Sequence, residues 1–335
     1  MKTSYLFLLL ITVSVYLTGC SNEQVENNES TNRIEISSGW PKVISTRYGD
    51  VTINKPPKRI VSTSVTLTGT LIAIDAPVIA SGGTYANSIV ADDIGYFRQW
   101  AEIAKQKKVT SLYQGEANAE SVAKQKPDLI IISATGGDSA LKLHEQFSSI
   151  APTLVINYDD KSWQALAVLL GEIVDREFEA KSIIKQFDEK LKQTREVISL
   201  PPQPVTAMAY YGDNRGGNIW TADSAQGNLL MSLGFSLSAI PEHLKDNHIM
   251  GVRKDIVPVN GENFADAITG QSLLLFPANE KVVDRVYNNK FLALLPAVKN
   301  EQTYAMGNDT FRLDYYSSMN LLDTVESLFR TTSTQ

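Results

Sequence analysis

Apolar positions along this chain come in short runs of strand length, each followed by polar or glycine-rich residues. Residues 59–64 (RIVSTS) form one such run, and residues 77–80 form another that passes into Ser81-Gly82-Gly83. Residues 128–133 (DLIIIS) pass into Ala134-Thr135-Gly136-Gly137-Asp138, and residues 153–158 (TLVINY) end at Asp159-Asp160. Helical spacing lies between them, over 119–125 and 139–150. Buried strands alternating with helices predict a parallel sheet covered on both faces. Ahead of them, residues 40–53 read as a short hairpin turning at Gly49-Asp50, with Pro56-Pro57 as punctuation.

The pattern changes at residues 163–200, which contain no proline and only Gly171. From Glu177 apolar residues recur at Phe178, Ile183, Ile184, Phe187, Leu191 and Val197 with charges between, which predicts a long amphipathic helix. Pro201, Pro202 and Pro204 end it. Strand and helix then alternate again: strands over 205–211, 272–276 and 303–306, and helices over 224–233, 280–288 and 315–330. The expected fold class is α/β, with two Rossmann-like lobes at 40–174 and 201–335 joined by a long rigid helix at 175–200. Ligands of open α/β sheets bind beyond the carboxyl ends of the strands, so two facing lobes make a cleft. A helix across the joint resists bending, so little closure is expected.

Residues 5–16 (YLFLLLITVSVY) are apolar, follow Lys2, and are too short to span a bilayer. They lead to Leu17-Thr18-Gly19-Cys20, the form of a bacterial lipobox, so 1–19 read as a lipoprotein signal peptide and Cys20 as the lipid anchor. Residues 20–39 are polar and rich in Asn, Glu and Ser, as in a disordered tether. The expected location is the periplasm, tethered to a membrane. Cys20 is the only cysteine, which excludes an internal disulfide. With 31 Lys+Arg against 37 Asp+Glu, the net charge of −6 argues against a nucleic-acid surface. Three histidines leave little for a metal site. His243 and His248 lie five apart in a loop-like stretch, and His144 sits on a helix, where it is expected to face solvent.

Long segments in order then carry a family resemblance. Residues 59–82, 128–138, 150–163, 200–207 and 311–316 (FRLDYY) resemble the ferric-enterobactin-binding proteins of enteric ABC transporters. The similarity runs over roughly 40–329. It implies a class III solute-binding protein, a monomer and not an enzyme, that passes a ferric catecholate siderophore to an inner-membrane permease with its ATPase. No cofactor is implied, because the iron arrives inside the siderophore. A ferric tris-catecholate is an anion with flat aromatic rings, so it calls for cations and aromatic faces rather than metal ligands.

The resemblance implies that Trp220 is a stacking platform and Arg312 the main cation, with Phe311 beside it. Position alone also admits Trp220 as a core residue, and Arg312 as the partner of Asp309 or Asp314. Loop position adds Tyr85, Arg98 and Arg215. The enteric pattern has an arginine shortly before Val-Ala-Asp-Asp, where this chain has Ser88-Ile89 before Val90-Ala91-Asp92-Asp93. Arg98 or Arg215 would then supply the missing charge, and enterobactin itself becomes the less certain catecholate. Glu120 and Glu262, one in each lobe, are implied to dock on the permease, although each also suits a helix N-terminus.

Other ligands compatible with the fold are haem, another siderophore, or bare ferric iron held by Tyr210-Tyr211 and Tyr315-Tyr316. Adjacent tyrosines on a strand point to opposite faces, which weakens the last. An exported α/β enzyme would use Ser62-Thr63-Ser64 or the Gly136-Gly137 loop, but no nucleophile elbow, phosphate loop or paired-histidine motif is present.

Overall fold

The computed structural model describes residues 34–212, 215–245, 253–261 and 263–331. The expectations placed on Cys20, on 1–19, on 20–33, on His248 and on Glu262 lie outside the described residues. Three short strands open the described chain: β1 (Glu35–Ile36), β2 (Lys42–Thr46) and β3 (Gly49–Ile53), all antiparallel. Two expectations are corrected here. The hairpin turns at Arg47-Tyr48, with Gly49 and Asp50 already paired to Thr46 and Ser45. The expected tether is ordered at its end, because Glu35 and Ile36 pair with β2.

The first large sheet holds β4 (Ile60–Ser62), β5 (Val78–Gly83), β6 (Thr110–Gln114), β7 (Leu129–Ser133) and β8 (Thr153–Ile156). Their order is β6-β5-β4-β7-β8 and every pairing is parallel. β4, β7 and β8 are buried throughout, as strands covered on both faces must be. The crossovers carry α1 (Val65–Ala73), α2 (Arg98–Gln106), α3 (Ala119–Lys124) and α4 (His144–Ser148). Ser64 caps α1 by accepting from the Leu67 amide. β6 escaped the sequence reading because TSLYQ is a half-buried edge strand with no apolar run. His144, expected to face solvent, is half-buried beside Tyr48.

After β8 come α5 (Trp163–Val174) and α6 (Glu177–Val197), with Asp175 in the left-handed conformation between them. α6 is a single helix of 21 residues that buries Ala180, Ile183, Phe187 and Thr194. Phe178, read as part of that stripe, is exposed. Buried Lys42 ties the small sheet to this junction, donating to the Glu172 carbonyl and lying 3.7 Å from Glu177.

The second sheet contains β9 (Val205–Tyr210), β10 (Gly217–Trp220), β11 (Ile256–Val259), β12 (Ser272–Leu275) and β13 (Thr303–Ala305) in the order β11-β10-β9-β12-β13. It is mixed: β9, β12 and β13 run parallel, whereas β10 and β11 pair antiparallel. Helices α7 (Ala225–Ser232), α8 (Glu242–Lys245), α9 (Asn263–Asp266), α10 (Glu280–Tyr287) and α11 (Pro296–Lys299) connect the strands. Neither β10 nor β11 was foreseen: GNIW opens on glycine, and IVPV carries proline, which an edge strand tolerates.

The closing helix α12 (Tyr315–Phe329) returns to α6 and also packs on α1 and α2. The largest hydrophobic cluster therefore includes residues of both sheets. A Cβ on Gly69 of α1 would come within 2.5 Å of the Asp314 carboxylate, so only glycine allows this approach. Among the described residues, no helix is long and apolar enough to cross a membrane.

Candidate functional site

Two adjoining cavities, of about 940 Å³ and about 700 Å³, share a wall made by Thr66, Phe97, Gln99, Tyr158, Phe311 and Arg312. The first sheet supplies most of the first cavity from residues just past its strand ends. Thr66 follows β4, Thr84 and Tyr85 follow β5, and Gly115 to Ala117 follow β6. Gly136 to Asp138 follow β7, and Tyr158 follows β8. This is where an open α/β sheet places its ligand. The second cavity adds Asp159 to Trp163 from the same side and Trp220, Arg253 and Asp255 from the second sheet.

Asp138 organises the first wall. It accepts from Tyr158 Oη at 2.7 Å, from the Thr66 amide at 3.0 Å and from the Ser64 hydroxyl. Burial raises the Tyr158 phenol, helped by the Asp138 charge, so the ring keeps its proton and donates it. A Cβ at Gly136, whose φ is +80°, would overlap the Tyr158 hydroxyl. Tyr158 is thereby fixed as a platform, and the Arg312 guanidinium rests 4.8 Å from its ring centre.

Arg312 lies in the loop between β13 and α12. Its Nη1 contacts Asp159 Oδ1 at 3.3 Å, not Asp309 or Asp314 as position suggested. Phe311 packs edge-on against Trp220, with ring centres 5.8 Å apart. Trp220 does not stand open as a platform: it is 5% exposed, part of the core and at the cavity floor. Its indole nitrogen is buried without a hydrogen-bond partner, as is the hydroxyl of Ser318 in the same cavity. Both groups are thus buried within the wall rather than open to the cavity.

The other predicted residues divide. Tyr85 lines the first cavity and is 74% exposed. Arg98 and Arg215 line neither cavity. Arg98 donates to the carbonyls of Ile89 and Ser88 at 3.2 and 2.9 Å, pinning the loop that lacks the expected arginine. Arg215 donates to the Tyr211 carbonyl at 2.6 Å. The charge expected from them comes instead from residues the sequence reading missed. Lys142 lines the first cavity, and Lys161 and Arg253 line the second. Arg253 is held bidentate by Asp255, at 2.9 and 2.7 Å, which raises the guanidinium and lowers the carboxylate. Glu120 is exposed on the first turn of α3 and pairs with Lys124 at 2.8 Å, a contact that lowers its pKa.

Asp314, the N-cap of α12, lies in the wall of the second cavity. It accepts from the Ser317 amide at 2.8 Å and from Gln99 Nε2 at 3.3 Å. Burial pushes its pKa up to about 6, against the pull of the Ser317 bonds. A raised carboxyl stabilises the fold fully only below its unfolded value near 4, and that contribution is lost as pH rises through about 6. Asp314→Asn should therefore gain on the parent protein by roughly 2–3 kcal/mol between about pH 4 and pH 7. Denaturant unfolding at both pH values measures this, and a difference independent of pH refutes it.

The Tyr210-Tyr211 and Tyr315-Tyr316 pairs do not converge on a shared pocket. Tyr210 is buried and stacks on Phe264, whereas Tyr315 packs on Trp163. Among the described residues, no group of three or more His, Cys, Asp or Glu is placed to hold a metal ion. A family model for periplasmic binding proteins matches residues 60–310. The chain belongs to that family. It is 54% identical over 293 residues to the ferric enterobactin-binding periplasmic protein FepB of Escherichia coli O6:H1, covering 88% of this chain and 92% of that one. The solved structure of holo-ViuP matches with a TM-score of 0.78 at 32% identity, over 88% of this chain and 96% of its own. Staphylococcus aureus SirA complexed with staphyloferrin B shares the fold at 20% identity, with a TM-score of 0.63 over 85% and 97% of the two chains. The family and the FepB relative are binding proteins rather than enzymes.

Proposed function

We propose that this protein is the solute-binding component of an ABC transporter, capturing a ferric catecholate siderophore of the enterobactin type for delivery to an inner-membrane permease. The observation that carries the reading is the convergence of Arg312, Phe311, Tyr158 and Trp220 on one cleft. The 54% identity to a ferric enterobactin-binding protein supports the same ligand class. A trianionic complex with flat rings finds guanidinium and aromatic face together there. Its iron is cargo, already fully coordinated by catecholate oxygens.

In this reading Arg312 faces the ferric centre, Phe311 and Tyr85 offer ring contacts, and Trp220 backs Phe311 from the floor. Arg98 and Arg215 act through the loops they pin. The lobes at 40–174 and 201–335 and the helix at 175–200 frame the cleft. Glu120 and Glu262 dock on the permease. The Cys20 lipid and the segment after it hold a monomer near the membrane.

The test is quenching of intrinsic fluorescence, since the chain has four tryptophans and Trp220 and Trp163 line the cleft. Ferric enterobactin and simpler ferric catecholates should quench at submicromolar concentration, whereas ferric hydroxamates and haem should not. Absence of quenching by every ferric catecholate at micromolar concentration refutes the reading.

A further inference from the structure

The cations of the second cavity are held by carboxylates, and they are not held equally. Arg253 is gripped at two points by Asp255, and Lys161 Nζ lies 2.5 Å from Asp160. Arg312 makes a single-point contact with Asp159 at 3.3 Å, with both side chains about one-third exposed. That contact joins distant parts of the chain: Asp159 follows β8 of the first sheet, and Arg312 follows β13 of the second. The four groups are also electrostatically linked. After its own partner Asp255, the charge of Asp159 is felt by Arg253; after Arg253, that of Arg312 is felt by Asp255. Two guanidinium groups and two carboxylates leave this cluster without net charge. An anion entering the cavity therefore meets a neutral array until one carboxylate gives up its arginine. The weakest grip, by its single long contact, is that of Asp159.

We propose that Asp159 is a positioning residue that competes with the ligand for Arg312: it holds the guanidinium over the Tyr158 ring and yields it to an anionic ligand. This rests on the reading of the cleft as a site for a trianionic ferric catecholate. A carboxylate oxygen and a catecholate oxygen are acceptors of the same kind, and one guanidinium edge serves one of them at a time. Re-forming the Asp159 contact then opposes the ligand at every moment of its stay. The competitor lowers affinity and speeds dissociation, which suits a protein that must surrender its cargo. A neutral ligand has no claim on Arg312 and would be unaffected.

The experiment uses ferric enterobactin as probe, with equilibrium quenching and stopped-flow dissociation on the full chain. Asp159→Asn keeps the shape and removes the charge. It should bind about five- to tenfold tighter, with the gain in slower dissociation. Asp159→Glu restores the carboxylate and should return affinity to within about twofold of the parent. Asp223→Asn removes one negative charge from the same cavity away from the Arg312 contact, and should gain clearly less. In an Arg312→Gln background the gain from Asp159→Asn should shrink to that of Asp223→Asn. Asp159→Ser replaces the asparagine variant should the latter lose its fold. Equal gains for Asp159→Asn and Asp223→Asn, or no gain for Asp159→Asn, overturn the competitor role while leaving the cleft reading intact. Failure of the parent protein to bind ferric enterobactin and every simpler ferric catecholate overturns the cleft reading and the competitor role with it.

Discussion

Replacing Arg312 with glutamine should weaken binding of ferric enterobactin by about 30- to 100-fold, the largest loss expected from any single change in the cleft. A hydrogen bond to a charged group is worth about 1.5–3 kcal/mol, and about 1.4 kcal/mol is a factor of ten in affinity. The substitution also leaves the Asp159 carboxylate facing the cavity without its arginine, so an attraction is lost and a repulsion appears. Arg312→Lys should recover only part, because an ammonium cannot lie flat on the Tyr158 ring while donating in a fork. Equilibrium quenching measures each constant; a change below threefold for Arg312→Gln removes Arg312 from the binding machinery.

The parallel sheet was legible because its strands announce themselves. LIIIS and TLVI are continuous buried runs, and each ends in the polar residues that form the cavity wall. The same rule explains Tyr158 and Asp159, which sit at the end of a strand the sequence already marked. What the sequence did not say is that Tyr158 is the platform and Asp159 the counter-charge, because both roles depend on Arg312, 153 residues away for Asp159. Arg253 carried no signal at all. It flanks β11, a short edge strand containing Pro258, and its neighbours offer no period to read. Arg98 and Arg215 misled for the converse reason: a loop arginine can satisfy itself on nearby carbonyls, and both do.

Loss of the arginine expected before Val90 therefore does not leave the cleft without charge. The cleft instead has Arg253 and Arg312 beside the second sheet and Lys161 beside the first. The first cavity retains Lys142 near a rim of Tyr85, Val90 and Leu143, and Ile89 nearby is exposed. An acidic chain with few, paired cations binds an anion through local geometry rather than through its overall field.

Reversing charge at the two proposed docking positions should separate capture from delivery. With Glu120→Arg and Glu262→Arg together, uptake of ferric enterobactin should fall to the level of cells lacking the protein, while affinity for the siderophore stays within about twofold of the parent. Glu120 lines neither cavity, so its replacement leaves the ligand contacts untouched. Its present partner Lys124 is equally exposed, and that surface pair contributes little to the fold. Reversal places a second positive charge beside Lys124. Against the positive surface that docking through two glutamates requires, that turns steering and docking into repulsion, and like charges in juxtaposition suppress an encounter strongly. One reversal alone should leave partial uptake, because two anchors in separate lobes share the hold. Radiolabelled uptake in cells, set beside quenching of the purified variants, reads both quantities. Uptake unchanged in the double variant eliminates docking through these two residues, and a matching loss of affinity would place them in the binding site instead.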